Sequence, residues 1–172
     1  MSVPWIEAFH RPQTIERVWQ LLDEGGSATR LVAGGTDLAI HCPPEVRTLV
    51  DLARVELNRI GRADDGAIRV GAMASLTEML EDPLVTAHAG GVIATTLVHV
   101  GSPLLRNAAT IGGHLARGRL SDIVPVCLAL DARVSIYDGA YHQMSLDGYY
   151  RRQAHQARHI LTDLVLPALP ER

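Results

Sequence analysis

Apolar residues recur at Ile15, Val18, Trp19 and Leu22, the spacing of one helical face, and predict an amphipathic helix over Thr14–Glu24. Thr14 suits the N-cap, and Gly25-Gly26 supply the stop. The same spacing assigns Trp19 to a core rather than to a ligand. The pattern then shortens. Thr29–Ala33 and Arg47–Leu52 read as buried strands, separated by the breaker Cys42-Pro43-Pro44, which gives a small β-α-β-like unit over residues 1–60.

A second unit is expected over residues 61–172. Ala67–Val70 reads as a strand reached through the turn Asp64-Asp65-Gly66. Ser75 and Glu78 form a capping box for a helix through Leu76, Met79 and Leu80, closed by Asp82-Pro83. Gly91–Val100 reads as a buried helix, and Ser121-Asp122 as the cap of another through Val126, Leu128 and Leu130. Val134, Ile136, Ile160, Leu164 and Leu166 have the character of sheet residues. This mixed order favours an α+β fold over a doubly wound sheet.

Composition narrows the function classes. The chain has 172 residues, 47% hydrophobic and 20% charged, as in an ordinary folded domain. A net charge of −3 and only 4% aromatic residues argue against nucleic acid as the main partner. No leader pattern opens the chain, and its apolar runs are far below the ~18–20 residues that span a bilayer. A cytoplasmic setting without membrane insertion is expected. The two cysteines, Cys42 and Cys127, are too few and too far apart for an iron–sulfur cluster.

The chemistry concentrates in two glycine-centred segments about seventy-five residues apart: Val32-Ala33-Gly34-Gly35-Thr36-Asp37-Leu38 and Thr110-Ile111-Gly112-Gly113-His114. Glycine pairs at strand ends let N–H groups converge on one anion, and two of them could grip a pyrophosphate from both sides. Each is also compatible with a plain tight connection. Neither is the G-x-G-x-x-G of a Rossmann fingerprint. The eight histidines show no metal spacing, although His155 and His159 could share a helix face. Arg117 and Arg119 read equally as charge for a phosphate or as solvated loop residues.

These residues, with Leu49-Val50-Asp51-Leu52, Ile68-Arg69-Val70-Gly71-Ala72, Gly101-Ser102-Pro103, Arg106-Asn107 and Ser121-Asp122, resemble the FAD-binding domain of molybdopterin dehydrogenases, from about Phe9 to Pro167. The resemblance implies two α+β subdomains with FAD between them, similar to vanillyl-alcohol oxidase flavin domains. It implies that Val32, Ala33, Gly34, Gly35, Thr36, Asp37 and Leu38 cradle the pyrophosphate with main-chain groups. Thr110, Gly112, Gly113 and His114 would close the other side, Asp122 would bond ribityl or ribose hydroxyls, and Leu161 would lie beside the flavin or adenine. None is an acid or base in the chemistry; the implied role is electron transfer within a heteromeric oxidoreductase. Iron–sulfur and molybdopterin subunits would be the partners, supplying [2Fe–2S] clusters and substrate oxidation.

Three departures accompany the resemblance. The chain ends shortly after Leu164-Val165-Leu166-Pro167, where the resemblance implies that a C-terminal domain would be expected to follow. His114 stands where relatives carry Asn or Asp, and would favour pyrophosphate if protonated. Arg117-Gly118-Arg119-Leu120 replaces a polar–proline stretch and changes the charge at the mouth of the site. The alternative of another class is a flavin-free structural subunit; the glycines and Asp122 weigh against it, because packing alone is expected to need neither.

Overall fold

Two sheets of different kind divide the strands between them. The computed structural model describes residues 5–118, 121–151 and 158–169. One sheet orders β1 (Ala8–His10), β3 (Thr48–Asp51) and β2 (Thr29–Val32) with β3 in the middle, both pairs parallel. Parallel pairing requires crossovers. Helix α1 (Ile15–Gly25) lies between β1 and β2, and the single turn α2 (Leu38–His41) between β2 and β3. Thr14 caps α1 by accepting from the Arg17 N–H at 3.3 Å, and Ile15, Val18 and Leu22 are its buried face.

The other sheet is antiparallel throughout, in the order β4 (Ile60–Arg62), β5 (Ile68–Gly71), β8 (Ile160–Leu166), β6 (Arg133–Tyr137), β7 (Tyr141–Ser145). Strand β8 is central and buried along both faces except at Asp163, which is why apolar residues flank Thr162-Asp163 on both sides instead of alternating with polar ones. Helices α3 (Leu76–Glu81), α4 (Pro83–Ala87), α5 (Val92–Leu97), α6 (Pro103–Ala108), α7 (Ile111–Arg117), α8 (Ile123–Ala129) and α9 (Leu146–Arg151) accompany it. Leu76, Met79, Ile93, Leu97, Ile111, Leu115, Ile123 and Leu146 form one core with Ile68, Val70, Val134, Leu164 and Leu166. A second cluster joins Ile15, Val18, Leu22, Val50 and Leu52 to Tyr137 and Ile160, so both sheets contribute to it, and Trp19 packs against it as its spacing implied.

The capping box is complete. Ser75 Oγ accepts from the Glu78 N–H at 3.1 Å, and Glu78 Oε2 accepts from the Ser75 N–H at 2.7 Å. Other elements differ from their sequence pattern. Asp82-Pro83 ends α3 but also restarts the chain as α4, because Asp82 Oδ1 accepts from the N–H groups of Leu84 and Val85 while Pro83 occupies the first turn. The helix expected over Gly91–Val100 is shortened to α5: Gly91 has positive φ and stands outside it, and beyond Leu97 the chain tightens into turns, with His99 N–H to Thr96 O and Val100 N–H to Leu97 O, before Gly101 at φ +57. Asp122 precedes α8 by position only: its own backbone is already helical and its side chain makes no capping hydrogen bond. Strands β1, β4 and β7 are too short or too polar to announce themselves.

Replacing Ser75 with Ala removes one half of the capping box and is expected to cost about 1 kcal/mol of stability, read as a lowered urea midpoint at unchanged slope.

Candidate functional site

A cavity of about 450 Å³ lies where the loop after β2 faces α7. Val32, Ala33, Gly34, Gly35, Thr36, Asp37, Leu38, Thr110, Gly112, Gly113, His114 and Leu161 all line it, so twelve of the thirteen candidate residues converge on one space. Asp122 does not line it; its exposed side chain sits at the head of α8, close enough to act electrostatically on His114. A second cavity, of about 580 Å³, shares Ala33, Gly34, Met73 and Thr110 with the first. The two therefore adjoin at Ala33 and Gly34, at the start of the first glycine loop.

The two glycines of that loop have different reasons to be there. A Cβ at Gly34 would overlap the carbonyl oxygen of Ala108, so the loop meets the end of α6 backbone to backbone. Gly35 has room around it but holds φ +67, a conformation that L side chains adopt only with strain. The N–H groups of Gly34, Gly35, Thr36 and Asp37 have no acceptor among the described residues. Buried or half-buried backbone donors are almost always paired. Four successive free ones beside a cavity are chemically suited to an anion.

The second glycine segment is built otherwise. It follows a helix, α6, rather than a strand, and Gly112 and Gly113 make the first turn of α7. Its donors are all used: Ile111 N–H to Ala74 O at 3.0 Å, Gly112 N–H to Ala72 O at 2.8 Å, Gly113 N–H to Thr110 Oγ1 at 3.2 Å and His114 N–H to Thr110 O at 3.1 Å. A Cβ at Gly112 would lie 2.7 Å from Ala72 O. The segment is therefore a closely packed wall opposite the open donors, not a second set of them. The expectation that packing alone needs neither the glycine turns nor Asp122 is corrected for the glycines, since close backbone approach demands Gly34 and Gly112.

The polar side chains around the cavity are mutually committed. Asp37 Oδ1 meets His41 Nδ1 at 2.9 Å and the Arg117 guanidinium at 3.2 Å. His114 Nδ1 is 2.8 Å from Ser121 Oγ, and Ser121 is buried. Burial holds the His114 pKa below the ordinary histidine value, with nearby Arg117 acting the same way and Asp122 opposing. His114 is thus neutral near pH 7, and the protonated form considered from sequence is disfavoured. His159, also on the cavity wall, pairs through Nε2 with the buried Tyr149 hydroxyl at 2.8 Å.

His41, Met73, Arg117 and His159 line the site without having been singled out from sequence as cofactor residues, Arg117 alone having been weighed for phosphate. Arg117 and His41 follow from the loop and helix that carry them; nothing in the local pattern marks Met73 or His159. Arg106 is structural: its guanidinium donates to the carbonyls of Val98, Val100 and Gly101. Arg119 and His155 lie outside the described residues. Among the described residues no group of three His, Cys, Asp or Glu side chains is placed to hold a metal ion, and no helix is long and apolar enough to cross a membrane.

Residues 5–169 match the family described as FAD binding domain in molybdopterin dehydrogenase. The chain is 33% identical over 135 residues to the xanthine dehydrogenase FAD-binding subunit of Escherichia coli O157:H7, covering 76% of this chain and 46% of that one. It is 29% identical over 172 residues to the nicotinate dehydrogenase FAD-subunit of Eubacterium barkeri, covering 92% and 57% respectively. A solved carbon monoxide dehydrogenase of Hydrogenophaga pseudoflava superposes with a TM-score of 0.86 at 24% identity, over 99% of this chain and 61% of that chain, a likeness of fold. The chain spans about half the length of the relatives it matches.

Two outcomes are expected from this geometry. Gly34→Ala should lower the denaturation midpoint more than Gly35→Ala, because backbone must move at the first position while the second carries only a strain of about 1–2 kcal/mol. Separately, His114 contributes stability that is fully present above the unfolded histidine pKa of 6.5 and is lost as the pH falls through its lower folded value. His114→Asn should flatten the fall in stability between about pH 7 and pH 5, followed by urea denaturation across that range.

Proposed function

The chain belongs to the family of FAD-binding domains of molybdopterin dehydrogenases, and on that premise we propose that it is the electron-transferring flavin subunit of a heteromeric molybdenum hydroxylase or dehydrogenase. FAD is its cofactor. The observation that carries the reading is the loop at Gly34–Asp37, whose N–H groups find no acceptor among the described residues and whose residues line a cavity that adjoins a second one. A pyrophosphate needs several short N–H bonds at its centre and space on both sides for the two halves of a dinucleotide. The residues present fit that group.

In this reading Val32, Ala33, Gly34, Gly35, Thr36, Asp37 and Leu38 hold the pyrophosphate through the main chain. Thr110, Gly112, Gly113 and His114 form the opposite wall, which excludes water and fixes the width of the cleft. Leu161 packs beside the flavin or adenine, and Asp122, with its carboxylate in solvent, reaches ribityl or ribose hydroxyls at the edge. Residues 1–60 and 61–172 act as the two subdomains flanking the cofactor. When bound, FAD supplies the redox chemistry, and the chain supplies its position and electrostatic surroundings.

The partners in this proposal are an iron–sulfur subunit and a molybdopterin-binding subunit in the cytoplasm. The chain would accept electrons from the partner's [2Fe–2S] clusters and deliver them to an external acceptor, while substrate oxidation takes place on the molybdopterin subunit. The names of the relatives support this placement: each FAD subunit is named for a dehydrogenase.

Purified chain titrated with FAD is expected to acquire flavin absorbance that denaturation releases as intact FAD. Asp122→Ala should weaken that binding by about 1.5–3 kcal/mol, the worth of one charge-assisted hydrogen bond. A folded chain that stays colourless with FAD, alone and within its assembled complex, would overturn the reading.

A further inference from the structure

Asp37 contributes the only carboxylate among the described residues that line the 450 Å³ cavity, and it sits in the loop whose free N–H groups would receive an anion. A carboxylate there opposes a second negative group. It also stands at the N-cap position of α2, where an aspartate ordinarily accepts from the helix's own first N–H groups, yet it makes no such bond. Its Oδ1 turns instead to His41, one turn along α2, and to Arg117 across the cavity on α7. The N–H groups such a cap would take, those of Ala39 and Ile40, already donate to Gly35 O at 2.9 Å and Asp37 O at 3.0 Å, so the carboxylate is left to the cavity side, where the Arg117 pair offsets its charge. Arg117 belongs to the helix packed on β5 and β8, so the pair also bridges the two sheets over the cavity.

We propose that Arg117 is a charge-compensating residue of the FAD site: paired with Asp37, it neutralises the carboxylate beside the anion cradle and so permits the loop at Gly34–Asp37 to hold a pyrophosphate. The inference rests on the FAD reading. Its content is specific, because Arg117 acts through Asp37 and not by contact with the cofactor. Removing Arg117 then harms binding only while Asp37 remains charged.

The test is a double-mutant cycle on FAD affinity, read by flavin fluorescence on titrating the full chain with FAD at low and high salt. Arg117→Gln is expected to weaken FAD about tenfold at low salt, with the loss shrinking as salt screens the exposed carboxylate. Asp37→Asn should bind at least as tightly as the wild type, and Asp37→Asn/Arg117→Gln should recover wild-type affinity to within about threefold. Arg117→Lys keeps the charge and should stay close to wild type. Thermal melts of each apo variant keep a folding defect separate from a charge effect, and Arg117→Met, which also removes the charge, takes the place of Arg117→Gln in the cycle should that variant misfold.

Wild-type affinity in Arg117→Gln, or a double variant as weak as Arg117→Gln alone, would overturn the compensation. The second result would mean that the guanidinium serves the anion directly. Failure of the wild type itself to bind FAD would remove the underlying reading, and this proposal with it.

Discussion

The site depends on how closely three pieces of backbone approach one another. Gly34 lies against the Ala108 carbonyl, and Gly112 against the Ala72 carbonyl, with no side chain between them in either case. A single methyl at Gly34 or Gly112 would push the β2 loop or α7 away from its neighbour. The depth of the cavity, its junction with the adjoining one and the reach from Arg117 to Asp37 all follow from those distances. Close packing of this kind is rigid, because interiors at crystal-like density have no slack to absorb a shift.

Hydrogen-bond accounting then separates the two walls. On the α7 side every first-turn N–H is consumed by Thr110 or by the chain around Ala72 and Ala74. On the loop side successive donors are left open. One wall is finished as structure and the other is completed only by something that accepts hydrogen bonds. The asymmetry is not visible in the two glycine motifs, which look alike when written as letters.

Much of the fold was legible where periodicity is strong. The face of α1, the capping box at Ser75 and Glu78, and the apolar residues of β8 each state their structure locally. Most of the misses share a physical cause, since they depend on partners distant in the chain. Strand β1 has only three residues and exists because β3, far along the chain, pairs with it; β7 differs, a hairpin partner of its neighbour β6 that is hidden by its exposed, polar sequence. The second glycine segment was read as a strand end because Gly-Gly after apolar residues has no local signature separating a turn from a helix start under Ala72. At the site, the glycines, hydroxyls and His114 were named from motif and resemblance, whereas His159 and Met73 arrive through tertiary folding alone. The neutrality of His114 was likewise out of reach, because it is set by burial and by its neighbours.

The apolar cluster that mixes α1 and β3 with Tyr137 and Ile160 has a thermodynamic consequence. Neither sheet can open without exposing oil-like surface belonging to the other, so their unfolding is coupled into one cooperative event rather than two. A ligand seated against a single loop therefore shifts the melting of the whole chain, by RT ln(1 + [L]/Kd), and not merely the local fraying of that loop. For this fold, cofactor occupancy and lifetime against proteolysis become the same variable.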